Sequence, residues 1–238
     1  MECLVRALER FGPLAESERS VVVELGATAK QVEADQDVAR EGRRVPHCLL
    51  LVEGWACRYK TLEDGRRQIT AFHVPGDLCD PACLHLERLD QSTSTLTPAR
   101  IAQIPHAALL GWMAHSPRLR DAVLRAMLAD AAVSREWVVN VGRRTAYQRT
   151  AHLLCELMTR MHTAGLTRDH ACDLPITQVE LADALGLSNV HVNRTLQELR
   201  GDGLIELGGG ALVVRDWDGL RAAGGFTPRY LHHLASEL

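Results

Sequence analysis

The side chains best suited to chemistry are concentrated in the run Gly186-Leu187-Ser188-Asn189-Val190-His191-Val192-Asn193-Arg194-Thr195-Leu196-Gln197-Glu198-Leu199-Arg200. Ser188 is placed to cap a helix reaching about Arg200, with Val192, Leu196 and Leu199 forming its buried stripe. Asn189, Val190, His191, Asn193, Arg194 and Gln197 then fall on or near the outward face. Most of these types read base edges. Arginine can donate two parallel hydrogen bonds to guanine, and asparagine can pair with adenine in the same bidentate way.

A recognition face needs a second element to hold it. Thr177 and Glu180 have the spacing of a capping box, opening a helix whose Leu181, Ala184 and Leu185 face inward. Gly186 ends that helix in the left-handed geometry glycine tolerates, and the next helix follows at helix-turn-helix spacing. Beyond it, Leu204 to Leu207, three glycines and Ala211 to Val214 predict a hairpin, the wing of a winged helix-turn-helix. Thr177, Gln178 and Ser188, at the two helix starts, join the recognition face as candidate DNA contacts.

Composition bounds the rest. The chain has 238 residues, 46% hydrophobic and 24% charged, enough for two modest domains. Its net charge is −3, so nucleic-acid binding must rest on local arginines such as Arg143, Arg144, Arg149, Arg194 and Arg200. No apolar run approaches the roughly 20 residues of a membrane helix, and the N-terminus has no signal-peptide core, so a cytoplasmic protein without membrane partners is expected. The seven cysteines, at Cys3, Cys48, Cys57, Cys79, Cys83, Cys155 and Cys172, include no C-x-x-C pair and read as free, apolar thiols.

Taken in order, the chain starts with helical spacing to about Leu14, and Ser17 is a candidate cap for a second short helix. From Ala27 to Ile104 short strands such as Cys48–Val52, Ala56–Lys60 and Gln68–His73 are separated by turn signals, which indicates an antiparallel roll or barrel. Ser116-Pro117 opens a long helix to about Val141. Leu119, Val123, Ala126, Val133 and Trp137 run along it, interrupted by Asp130, while Leu124, Leu128, Ala131 and Val138 form a second line. A helix apolar on two faces needs two partners: its own roll and the same helix of a second subunit, with burial inside a monomer as the alternative. The expected dimer interface is Leu119, Val123, Ala126, Asp130, Val133 and Trp137. Thr145 and Gln148 predict another capping box, opening a helix through His162, and the break at Gly142 to Thr145 is the expected hinge. Ala171–Leu174 is a candidate strand beside the wing, and Asp216 and Thr227-Pro228 open two C-terminal helices.

The run G-L-S, V-x-R-T-L-x-E-L-R and a glycine-tipped hairpin resembles the Crp/Fnr superfamily of bacterial transcription regulators, over nearly the whole chain. The resemblance implies an α+β fold with a cyclic-nucleotide-binding-like β-roll at 1–115, a dimerisation helix and hinge at 116–144, and a winged helix-turn-helix at 145–238. It implies a homodimer on a palindromic double-stranded DNA site, and RNA polymerase as a further partner. No catalytic residue or cofactor is expected.

The resemblance leaves the sensed signal open. Cyclic-nucleotide members carry a Gly-Glu pair for the ribose and an Arg-Ser pair for the cyclic phosphate. Here, after the Gly76-Asp77-Leu78 turn, those positions hold Asp80-Pro81 and Gln91-Ser92. A buried phosphate without its cation bears a desolvation cost of several kcal/mol, so gating by cyclic AMP is not expected. Cys3 alone does not supply the cysteine cluster of the iron–sulfur members. Cys83-Leu84-His85 resembles the Cys-x-His haem ligands of carbon-monoxide-sensing members, making Cys83 and His85 haem or metal candidates. The texture of the roll also suits a cupin-like metal enzyme, but His47, His73 and His85 form no His-x-His pair.

Overall fold

The computed structural model describes residues 2–24 and 29–232. It divides into two compact units, one up to Ala131 and one from Ala132. The division falls inside the longest helix.

In the first unit, helices α1 (Glu2–Glu9) and α2 (Glu16–Glu24) precede strands β1 (Ala29–Val32), β2 (Asp37–Ala39), β3 (His47–Glu53), β4 (Ala56–Thr61) and β5 (Arg67–His73). A 3-10 turn at Pro81–Leu84, strands β6 (Ser92–Thr95) and β7 (Ala99–Pro105), and helix α3 (His106–His115) complete the roll. The α2 helix starts at Glu16, ahead of the expected cap Ser17, with Glu18 Oε2 accepting the Ala15 N–H at 2.7 Å. All strands pair antiparallel, in sheets ordered β1-β7-β3 and β2-β6-β4-β5.

The continuous apolar run Cys48–Val52 is buried along its whole length, because β3 is covered from several sides. Its free edge receives the turn after β5: Cys79 N–H donates to Leu49 O at 2.8 Å and Leu51 N–H to Asp77 O at 3.0 Å. Leu4, Val5 and Leu8 of α1 share its core with Leu119, Ala122 and Val123, which lie on helix α4 (Pro117–Arg143).

Along α4 most of the expected dimer face is covered within its own chain, while Ala126 and Val133 are half-buried. Leu119 and Val123 are each 1% exposed within their own unit's core, and Trp137 is 7% exposed, its indole N–H donating to Glu156 at 3.1–3.2 Å. Asp130 pairs with Arg58. Surface already covered by its own chain has no apolar area left to bury against a partner. The second line is the more open one: Leu124, Leu128 and Val138 are exposed, Leu128 and Val138 by 66% and 69%, and Ala131 is half-buried.

The second unit is built around α5 (Ala146–Thr163), which is buried from Thr150 to Met161. Around it lie β8 (Thr167–Arg168), β9 (Ala171–Asp173), α6 (Gln178–Leu185), α7 (Asn189–Gly201), β10 (Ile205–Gly208), β11 (Ala211–Val214) and α8 (Trp217–Gly224). Thr145 and Gln148 form the expected capping box. The sheet order is β10-β11-β9-β8, with Leu212 opposite Cys172, so the strand expected at Ala171 does pair with the wing.

Polar groups buried along α5 find partners, as groups removed from water must. Glu156 accepts from Trp137 and lies 2.8 Å from the Tyr230 hydroxyl and 3.4 Å from Arg160 Nη1. His152 is 1% exposed, with Nδ1 3.2 Å from the Gly224 carbonyl and Nε2 3.1 Å from the Tyr230 hydroxyl. Asp216 caps α8 through Gly219 N–H at 2.9 Å. Thr227-Pro228 opens a 3-10 turn, Pro228–Leu231, without a side-chain cap bond, and whatever follows His232 lies outside the described residues. Phe226 and Tyr230 pack their rings on His152 at 5.3 and 5.7 Å.

Candidate nucleic-acid interface

Two caps and a left-handed glycine set the geometry of α6 and α7. Thr177 Oγ1 accepts the Glu180 N–H while Glu180 Oε2 accepts the Thr177 N–H, at 3.2 and 2.6 Å. Gly186 ends α6 at φ 60°, ψ 43°. Ser188 Oγ then accepts the His191 N–H at 3.3 Å to open α7.

Within α7, Val192, Thr195, Leu196 and Leu199 are buried, at 0–1% exposure. Asn189, Val190, Asn193, Arg194 and Gln197 are exposed, Val190 by 81%, and His191 is half-buried. Thr177, Gln178 and Ser188 are exposed at the two helix starts. Every sequence-derived candidate on these two helix starts and on α7 is thus exposed except the half-buried His191. Asn193 Nδ2 donates to Gln178 Oε1 at 3.2 Å, so the first turn of α6 orients the middle of α7.

The wing differs from its expected form in one respect. Gly208 belongs to β10, opposite Ala211, which leaves a two-residue turn of Gly209 and Gly210 at φ 61° and 78°. Positive φ at both central positions is what a type I′ hairpin requires, and glycine supplies it without strain.

The arginines need correcting. Arg144 binds Glu136 and Asn140, each at 2.7 Å; Arg149 Nη1 donates to the Leu185 carbonyl at the end of α6 at 2.8 Å; Arg200 donates to the Leu207 carbonyl on the wing. These three hold the unit together. Arg143 is exposed, as is Arg194, whose only close carboxylate among the described contacts is Glu198 at 3.9 Å. A pair that open to water contributes little. The structural work of Arg149 and Arg200 was illegible in the sequence because their acceptors are backbone carbonyls, which no side-chain motif marks.

In the roll, the expected partnership of Cys83 with His85 is not formed. Cys83 is buried and His85 exposed, since a 3-10 turn has three residues per turn and sends side chains two apart in different directions. The six described cysteines are free, and burial pushes the Cys79 and Cys155 thiols up and that of Cys172 up to about 12. Asp80, in the phosphate cassette, has its carboxyl pKa raised by burial, and Gln91 accepts a hydrogen bond from Thr70.

Residues 148–223 match the Crp-like helix-turn-helix domain, and residues 29–116 the cyclic nucleotide-binding domain. The nitrogen fixation regulation protein FixK of Azorhizobium caulinodans is 30% identical over 173 residues, covering 72% of this chain and 69% of that protein. The chain belongs to the Crp/Fnr family. It is a transcription regulator carrying the helix-turn-helix DNA-binding domain of that family, and the cupin-like enzyme reading is not favoured. The transcriptional activator protein FnrL of Cereibacter sphaeroides is 29% identical over 203 residues, 84% of this chain and 81% of that protein. The fold matches the structure of FixK2 from Bradyrhizobium japonicum at a TM-score of 0.74 and 24% identity, over 82% of this chain and 96% of that one. Among the described residues no helix is long and apolar enough to cross a membrane.

Proposed function

We propose that this Crp/Fnr regulator acts in the cytoplasm as a homodimer that inserts α7 into the major groove of a palindromic DNA site. The observation that carries the reading is the division of α7 into a buried stripe and an exposed face of Asn189, Val190, Asn193, Arg194 and Gln197. Arg194 is assigned to guanine, and Asn189 and Asn193 to adenine. Val190 offers only apolar contact, which favours a thymine methyl. The exposed line Leu124, Leu128 and Val138 on α4 is assigned to the two-fold contact, and half-site centres about 34 Å apart follow for two recognition helices on one face of the duplex.

The roll is proposed not to be gated by cyclic AMP, because a buried carboxyl and a hydrogen-bonded glutamine stand where the family's ribose and phosphate contacts would be. The names of the relatives favour activation, with RNA polymerase as the partner through which it would act.

The test is quantitative binding of the full chain to a selected operator and to scrambled DNA across salt concentrations. Arg194→Ala is expected to cost about 1–3 kcal/mol on the operator and little on scrambled DNA. Equal affinity of the unmodified protein for both duplexes would defeat the proposal.

A further inference from the structure

The roll contains a second constellation that the DNA-binding reading does not use. Cys48 Sγ lies 3.6 Å from Cys83 Sγ, and Cys83 Sγ lies 3.5 Å from His106 Nε2. One ligand atom from each of the three residues falls within 4.8 Å of the others. The residues are far apart in sequence, and the fold gathers them by main-chain pairing. Cys48 is the second residue of β3, opposite Ile104 of β7, so β7 delivers His106 beside the start of β3, where its N–H donates to the Pro46 carbonyl at 3.1 Å. Cys83 sits in the 3-10 turn that follows the pairing of Cys79 with Leu49.

The two edges that meet at Cys83 have the lengths of a metal site, and the third, between Cys48 and His106, is no longer than 4.8 Å. A tetrahedral zinc ion with bonds of about 2.3 Å to sulfur and 2.0–2.1 Å to nitrogen has sulfur–sulfur edges of about 3.8 Å and sulfur–nitrogen edges of about 3.5–3.6 Å. Two thiolates and an imidazole are also the soft donor set that selects zinc over magnesium or calcium. We infer that Cys48, Cys83 and His106 form a zinc-binding site at one end of the β-roll.

Binding exchanges the two thiol protons for the ion: Zn²⁺ displaces both to solvent, and the two thiolates neutralise its charge. Cys48 and Cys83 are buried while His106 is half-buried, so the imidazole side gives the ion its route from solvent. Three protein ligands leave a fourth position for water or a further ligand. An occupied site would tie the start of β3, the 3-10 turn and the first residue of α3 together, and α3 leads into α4 at Pro117. The inference stands apart from the DNA-binding proposal, since it concerns only the roll and is tested without DNA.

The experiment uses the reduced full-length chain, stripped with a chelator and titrated with zinc or with cobalt(II) as a spectroscopic stand-in. Expected are one ion per chain, two protons released, and the visible bands of tetrahedral cobalt with a thiolate-to-metal charge-transfer band. Cys83→Ser should abolish these bands. His106→Ala, which removes a half-buried side chain and should leave the fold intact, should weaken zinc binding by more than the roughly 10–100-fold typical of losing an outer-shell partner. His85→Ala should change nothing. Absence of stoichiometric metal in the reduced protein would overturn the inference. So would binding that survives both Cys83→Ser and His106→Ala, or oxidation to a Cys48–Cys83 disulfide as the pair's sole reaction.

Discussion

The Arg58 guanidinium on β4 reaches both carboxylate oxygens of Asp130 on α4, at 3.1 and 3.3 Å, with the arginine side chain only 6% exposed. This pair explains why a charge interrupts the apolar line of α4. Removing Asp130 takes the direct partner from a buried cation and leaves it only the nearby Asp80 carboxylate, so Asp130→Ala is expected to destabilise the roll by about 1.5–3 kcal/mol, at the modest end because Asp130 itself is 33% exposed. Arg58→Met combined with Asp130→Ala should recover part of the loss. Denaturant unfolding of the three variants measures it, and a single-variant cost below about 0.5 kcal/mol would contradict the assignment.

What the sequence revealed depended on range. Thr177 with Glu180, Thr145 with Gln148, Ser188 and Asp216 act on backbone groups three residues away, so their types and spacing announced each helix start. The α3 helix went unread: it follows Pro105 without a side-chain cap, and its sequence HAALLGWMAH shows no polar face. Which apolar line of α4 faces its own chain could not be read from periodicity, because both lines repeat at the same spacing. The Cys48, Cys83 and His106 grouping spans separations of 35 and 23 residues and depends on strand register.

Dimerisation is expected to depend on the exposed line of α4. Leu128→Glu with Val138→Glu places charge at the proposed seam and should give a monomer at micromolar concentration with an unchanged fold. Leu119→Ala should instead cost about 2–5 kcal/mol of roll stability through a cavity. Analytical ultracentrifugation with circular dichroism separates these. An unmodified protein that sediments as a monomer would refute the proposed two-fold contact.

His152 should make the second unit acid-sensitive. Burial, followed by the nearby Arg144 charge, lowers its pKa from 6.5 to about 4 in the folded chain. Between those values the unfolded chain binds the proton more readily, so stability is fully present above pH 6.5 and is lost as pH falls toward 4. The loss is about 3 kcal/mol, from roughly 1.4 kcal/mol per pH unit. Chemical unfolding at several pH values should show a steeper fall for the unmodified protein than for His152→Gln. Parallel curves would show that His152 does not titrate between the two states.

Cyclic AMP is expected not to bind the roll. Calorimetric titration should give no saturable heat. Gln91→Arg, which restores a cation at the family's phosphate position, should not suffice while Asp80 and Pro81 remain. A micromolar dissociation constant for the unmodified protein would show that another residue supplies the missing charge.

Whether the exposed face of α7 reads base edges is decided by selecting bound DNA from a random pool with the unmodified protein, Arg194→Ala and Val190→Glu. A palindrome is expected for the unmodified protein, and relaxed preference at one guanine per half-site for Arg194→Ala. Val190→Glu should shift the neighbouring pair toward cytosine, because glutamate accepts from cytosine N4. The same preferred site from all three proteins would contradict that reading, and would mean that this face of α7 does not enter the groove.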